Sequence, residues 1–192
     1  ALDEQQRDMM TSVFKSQIPA MEKSDFLVMF EPVGATAQPI VITQNEFMRR
    51  MKDMAAIQSG MAFYGELPDS YNLIVNTDHP LSQKVIADTE SACKSELTPI
   101  LDELKTVNEE IERLQEAKKD KKDDEIPVAD KEALKHAEEK AKELRAKESD
   151  ILKTYADRTP LVRQLVDLAL LSNNMLKGEA LSKFIKRSVE ML

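Results

Sequence analysis

Two apolar series on either side of a charged break constrain this chain more than any other feature. From Leu97 the apolar positions are Leu97, Ile100, Leu104, Val107, Ile111 and Leu114, alternating steps of three and four. That alternation is the seam of a heptad repeat. Lys118 to Glu125 is an uninterrupted charged run, with Pro127 behind it. A second series follows at Leu134, Ala137, Ala141, Leu144, Glu148, Ile151 and Tyr155, with the same spacing apart from the polar Glu148. Pairing Leu104 with Leu144, Val107 with Ala141, Ile111 with Ala137 and Leu114 with Leu134 keeps the sum of positions constant, as an antiparallel helical hairpin requires. The turn then centres on Asp124, inside the charged run. Large residues on the first arm meet small ones on the second. Arms of about 25 residues would reach roughly 35–40 Å. Two ordinary helices packed on the remaining chain are the alternative. The near-exclusive Lys and Glu at the other positions favour a projecting coiled-coil hairpin over residues 94–158.

The flanks, 1–93 and 159–192, read as one α+β domain interrupted by this insertion. Asp3 caps a helix to about Gln17 with Met9, Met10, Val13 and Phe14 on its apolar stripe. Phe26–Phe30 and Pro39–Ile42 read as strands, the first continuous enough to be buried on both faces. Thr43 and Glu46 have the spacing of a capping box, and Phe47, Met48, Met51, Met54, Ala55 and Ile57 follow at helical spacing. Gly60 and Gly65 close that helix, Tyr71–Val75 is a third strand, and Asp78-His79-Pro80 opens another helix. Thr159-Pro160 starts a further helix, and Gly178 separates it from an amphipathic one carrying Leu181, Phe184, Ile185, Val189 and Leu192.

The helix after Pro160 is apolar around most of its circumference. Leu161, Leu165, Leu168, Leu171 and Met175 form one stripe, and Val162, Val166, Ala169 and Leu170 another beside it. Such a helix needs cover on two sides. Two copies related by a two-fold axis would supply it in an intersubunit four-helix bundle, with Leu161, Leu165, Leu168, Leu171, Met175, Leu181, Phe184, Ile185 and Leu192 as interface candidates. Phe47, Met48, Met51 and Met54 make a dense methionine patch among Arg49, Arg50 and Lys52, suited to adaptable apolar contacts, though packing on the sheet explains the spacing equally well.

Catalytic chemistry is not legible. His79 and His136 lie in unrelated settings, and Cys93 has no neighbouring His or Asn/Asp in sequence. Four glycines are too few for a phosphate-cradling loop. The expectation is a non-catalytic chain with no catalytic, metal or cofactor site. A net charge of −8 argues against nucleic-acid partners, and no apolar stretch reaches the ~20 residues of a membrane span. One cysteine fits a reducing cytoplasm, and the missing initiator Met suggests a fragment of a longer protein.

Three stretches carry a resemblance. Tyr71–Leu81, with its Asn…His-Pro turn, resembles a strand-to-helix step in the C-terminal domain of the heat shock protein 90 chaperones. Leu165–Leu176 and Phe184–Leu192 are similar to that family's two closing helices, and Ile42–Met51 to its amphipathic helix. The resemblance covers residues 1–92 and 160–192. It implies homodimerisation through the last two helices, with Leu165, Leu168, Phe184 and Ile185 in the bundle. It implies contact with unfolded clients through Phe47, Met48, Met51 and Met54, and ATP with Mg bound in an N-terminal domain elsewhere. The charged hairpin departs from the family; it is a co-chaperone or client arm, or a spacer. The terminal Val-Glu-Met-Leu lacks the acidic tail of eukaryotic cytosolic members, which favours a bacterial type. The competing reading is an adaptor acting through its hairpin, whose seam is Leu104, Val107, Ile111, Leu114, Leu134, Ala137, Ala141 and Leu144.

Overall fold

The computed structural model describes residues 1–192 as an α+β chain with one three-stranded sheet, as the sequence leads one to expect, and with seven helices. It divides into two compact units, Ala1–Thr89 with Tyr155–Leu192, and Glu90–Thr154.

The first unit is built around strands β1 (Ser24–Glu31), β2 (Ile40–Gln44) and β3 (Asp69–Asn76) in the order β1-β3-β2. β3 is central because it pairs on both sides. β1 runs parallel to it from Ser24↔Asp69 to Glu31↔Asn76, and β2 antiparallel from Ile40↔Val75 to Gln44↔Tyr71. Leu73 and Val75 of β3 are fully buried. Helix α1 (Glu4–Gln17) starts on a reciprocal cap: the Gln6 N–H donates to Asp3 Oδ1 at 2.8 Å and the Asp3 N–H to Gln6 Oε1 at 3.0 Å. Its buried stripe, Met9, Met10, Val13 and Phe14, packs on β1, where Phe14 meets Phe30 edge-on at 6.4 Å. Helix α6 (Pro160–Ser172) packs against α1 and β2.

Several local expectations are corrected. β1 is not buried on both faces; it is an edge strand, and Leu27 is 59% exposed. A continuous apolar run cannot by itself tell an edge from a centre. Thr43 is not a helix cap but a β2 residue, whose hydroxyl accepts from Asn72 Nδ2 at 3.4 Å. Helix α2 (Glu46–Ala55) is capped instead by Asn45, whose Oδ1 accepts from the Met48 N–H at 3.1 Å. After α2 come a 3-10 turn (Ser59–Met61) and short helix α3 (Ala62–Glu66), where the glycines alone suggested loop.

Helix α4 (Pro80–Lys118) opens with Pro80 in its first turn, and His79 Nδ1 accepts the Leu81 N–H at 3.1 Å. Val85, Ile86 and Thr89 are buried. The helix continues into the second unit and runs unbroken through Pro99, where Ser95 and Pro99 are both exposed, so water can take the unpaired carbonyl. A 3-10 turn (Asp123–Glu125) lies between α4 and helix α5 (Val128–Asp157). In this unit Val107, Ala137, Ala141 and Leu144 are buried together with Ile100, Leu104 and Ile111 half-buried against them. Leu134 is buried and Leu114 half-buried. Lys140 reaches Glu103 at 2.8 Å; its hydrogen bond and charge hold that carboxyl below the usual range, and Glu103 raises the Lys140 ammonium in turn.

Thr159 precedes α6, but its hydroxyl donates back to the Tyr155 carbonyl at 2.9 Å rather than capping the new helix. α6 closes on Asn174 in the left-handed region (φ 56°), with the Met175 N–H returning to the Leu170 carbonyl at 2.8 Å and the Asn174 N–H to Leu171 at 3.1 Å. Helix α7 (Gly178–Glu190) follows and packs on α6.

Candidate interaction surfaces

Two surfaces of the first unit expose apolar residues on regular elements. The first is α2 and the turn beyond it. Asn45 fixes where α2 begins, and Lys52, bonded to Asp69 at 2.7 Å, ties it to the start of β3. Along its charged side Glu46 pairs with Arg49 at 2.9 Å and Arg50 at 3.6 Å. The Arg49 hydrogen bond holds the Glu46 carboxyl below its usual range. No residue of α2 is buried. Met48 and Met51 are half-buried, whereas Phe47 is 63% and Met54 43% exposed. Ile57 and Phe63 extend the exposed apolar set. Phe63, which packs edge-on against Tyr64 at 5.9 Å, was not singled out from the sequence. The Gly-flanked Phe-Tyr pair was the available signal.

The second surface is the α6–α7 pair. The stripe of Val162, Val166, Ala169 and Leu170 is buried, together with Leu165. On the other stripe Leu161 and Met175 are half-buried, and Leu168 and Leu171 are 39% and 37% exposed. A cavity of about 140 Å³ between β2 and α6 is lined by Ile40, Val41, Ile42, Leu165, Leu168 and Ala169, among others. α7 has no buried residue. Leu181 and Phe184 are half-buried, while Ile185, Val189 and Leu192 are exposed.

A polar network that residue spacing does not reveal joins these two helices. Asp167, in the middle of the apolar α6, has a side chain only 1% exposed. Both its oxygens accept from Arg163 Nε at 3.1 Å, one turn away, and Oδ2 also accepts from Arg187 Nη2 of α7. Arg187 Nε donates to Gln164 Oε1 at 3.2 Å, and Gln164 Nε2 to Ser188 Oγ at 2.5 Å. The local signal was a lone Asp in an apolar helix four residues after an Arg; the Arg187 partner is not visible from spacing.

His79 serves the turn before α4, and His136 is exposed on α5. Cys93 is buried, which pushes its thiol up from the ordinary value and suppresses the reactive thiolate.

Comparison with known proteins gives a consistent relation. The chain is 47% identical over 191 residues to chaperone protein HtpG of Bacteroides thetaiotaomicron, 47% identical to that of Bacteroides fragilis (strain 638R), and 44% identical to that of Porphyromonas gingivalis (strain ATCC 33277). Each alignment covers 100% of the chain and 28% of the relative, so the chain spans just over a quarter of their length. No family model matches the sequence. No solved structure matches it either.

Proposed function

The chain belongs by sequence to the HtpG chaperones of the heat shock protein 90 family, and on that premise we propose that it is their homodimerisation and client-contact domain. The observation that carries the reading is the uncovered apolar side of α6 and α7. Leu168, Leu171, Ile185 and Val189 are between 37% and 67% exposed on two adjacent regular helices. Monomers seldom leave such helical faces open, and a second copy packing the same faces together removes them from water. Burying what remains exposed of these four side chains, about half of each, contributes on the order of 3–6 kcal/mol per copy before association costs.

The second element of the proposal is α2. It is amphipathic yet has no fully buried residue, and offers Phe47, Met48, Met51 and Met54 to unfolded or partly folded segments. ATP and Mg belong to a portion of the longer chaperone outside these residues, so the segment contributes no catalytic group. The second unit acts as an antiparallel coiled-coil arm towards a co-chaperone or client, or as a spacer. A cytoplasmic setting fits the reading, as does the finding that no helix is long and apolar enough to cross a membrane.

Size-exclusion with light scattering tests the association. The wild-type chain is expected at twice its 21.7 kDa mass. Leu168→Glu, which puts a charge on the interface side of α6, is expected at the single mass with unchanged circular dichroism. A monomeric wild type, or a folded and still dimeric variant, would overturn the dimer assignment.

A further inference from the structure

We infer that Arg187, bridging Asp167 and Gln164, is the positioning residue that sets α7 on α6 and so shapes the association surface, an inference resting on the dimer reading above. α7 has no buried side chain, and Ile185 and Val189 are 53% and 67% exposed. Apolar packing inside the protomer is limited to half-buried side chains such as Leu181 and Phe184, which alone hold the rotation of α7 about its own axis only loosely. Directional contacts must do it.

The network supplies them. Arg187 uses two different nitrogens, Nη2 on Asp167 and Nε on Gln164, acceptors three residues apart on α6. Because the guanidinium is planar and its donors are fixed in a fork, meeting both acceptors restricts the approach of α7 far more than one point charge could. Gln164 then turns its amide nitrogen to Ser188, the residue after Arg187, giving a third tie on the same turn of α7. Phe184 and Ile185 lie within a turn of this joint on α7, and Leu168 and Leu171 within about a turn of it on α6. The angle fixed at the joint is thus the angle at which the two apolar faces are offered to a second copy.

Asp167 has its own counter-ion within α6. Arg163 Nε contacts both carboxylate oxygens at 3.1 Å, so losing Arg187 does not strand an unpaired charge in the interior. The bridge to α7 can therefore be removed without unfolding the body.

Arg187→Met, Arg187→Lys and Gln164→Leu are compared with wild type by sedimentation equilibrium and by amide exchange resolved by segment. Losing hydrogen bonds to a buried carboxylate and an amide is expected to raise the dimer dissociation constant of Arg187→Met about ten- to a hundredfold. Exchange across α7 should accelerate by a similar factor, while β3 and α1 keep wild-type protection. Arg187→Lys, which keeps charge but cannot span both acceptors, should fall between wild type and Met. Gln164→Leu should shift both readouts the same way without changing any charge. Wild-type values for Arg187→Met in both readouts would overturn the inference, as would equal loosening of β3 and α1, the mark of a general fold stabiliser. A wild-type chain that never dimerises sinks the dimer reading instead, and the exchange of α7 in Arg187→Met then decides the positioning role alone.

Discussion

Asn76 ends β3 with its side chain sealed from solvent, and both ends of its amide are in use. Its oxygen accepts from the Val33 N–H at 3.0 Å and the Asp78 N–H at 3.1 Å; its nitrogen donates to the carbonyls of Gly34 at 2.8 Å and Gln38 at 3.2 Å. One side chain thus closes the loop between β1 and β2 onto the turn that starts α4. Gly34 adopts φ +102° there, a conformation that L side chains rarely adopt, and its N–H bonds to Asp78 at 3.0 Å. In the sequence Asn76 stood out only as part of the Asn…His-Pro turn, because asparagine in a turn ordinarily faces water. Three of the four backbone groups that make it a buried hub come from a segment about 40 residues away, and the fourth, the Asp78 N–H, lies two residues on. Asn76→Ala removes a partner from each of them, only the Gly34 carbonyl keeping another in the Ala37 N–H at 3.2 Å, and a loss of about 2–4 kcal/mol in urea unfolding is expected. Asn76→Asp should cost more, since it sets a carboxylate oxygen against two carbonyls with no donor between them. A loss below about 1 kcal/mol for Ala would mean that water replaces the amide there.

At the scale of elements, legibility followed how local the deciding interaction was. α1 could be read because its stripe and its cap both lie within its own residues. The Thr43–Glu46 spacing puts the start of α2 two residues early, because Thr43 is claimed by the ladder with β3 and leaves Asn45 to cap. The apolar run of β1 misleads for a related reason: sheet order is set by long-range pairing, and nothing in Phe26–Phe30 says that β3 takes the centre. α2 itself carries a consequence for the proposed client contact. Phe47 and Met54 are more exposed than Met48 and Met51, which makes them the sharper test. Phe47→Ser with Met54→Ser removes exposed apolar surface and little packing, so the unfolding free energy should stay within about 0.5 kcal/mol per site. In the full-length chaperone the same pair should weaken suppression of client aggregation. Undiminished suppression at unchanged stability would take the client role away from this helix.

Across the whole molecule, the apolar surplus on α6 and α7 was legible as composition, but its division was not. Only the fold tells that Val162, Val166, Ala169 and Leu170 are buried within the protomer while Leu168 and Leu171 stay partly open. The burial of Asp167 is not legible from spacing because its partner Arg187 lies on another helix, twenty residues on. If the open side is covered by a second copy, folding and association are one equilibrium, and stability must depend on protein concentration. For a dimer of chains this size, with an unfolding enthalpy of about 0.7 kcal/mol per residue, mass action predicts a rise in Tm of about 2 °C per tenfold increase in concentration. Calorimetry over a hundredfold range should therefore show a shift of about 4 °C for the wild type. Leu168→Glu, if it separates the protomers, should lose the slope and melt at one temperature throughout. A wild-type Tm that does not move with concentration would mean that the exposed leucines are tolerated by a monomer, and the surplus on α6 would then need another partner.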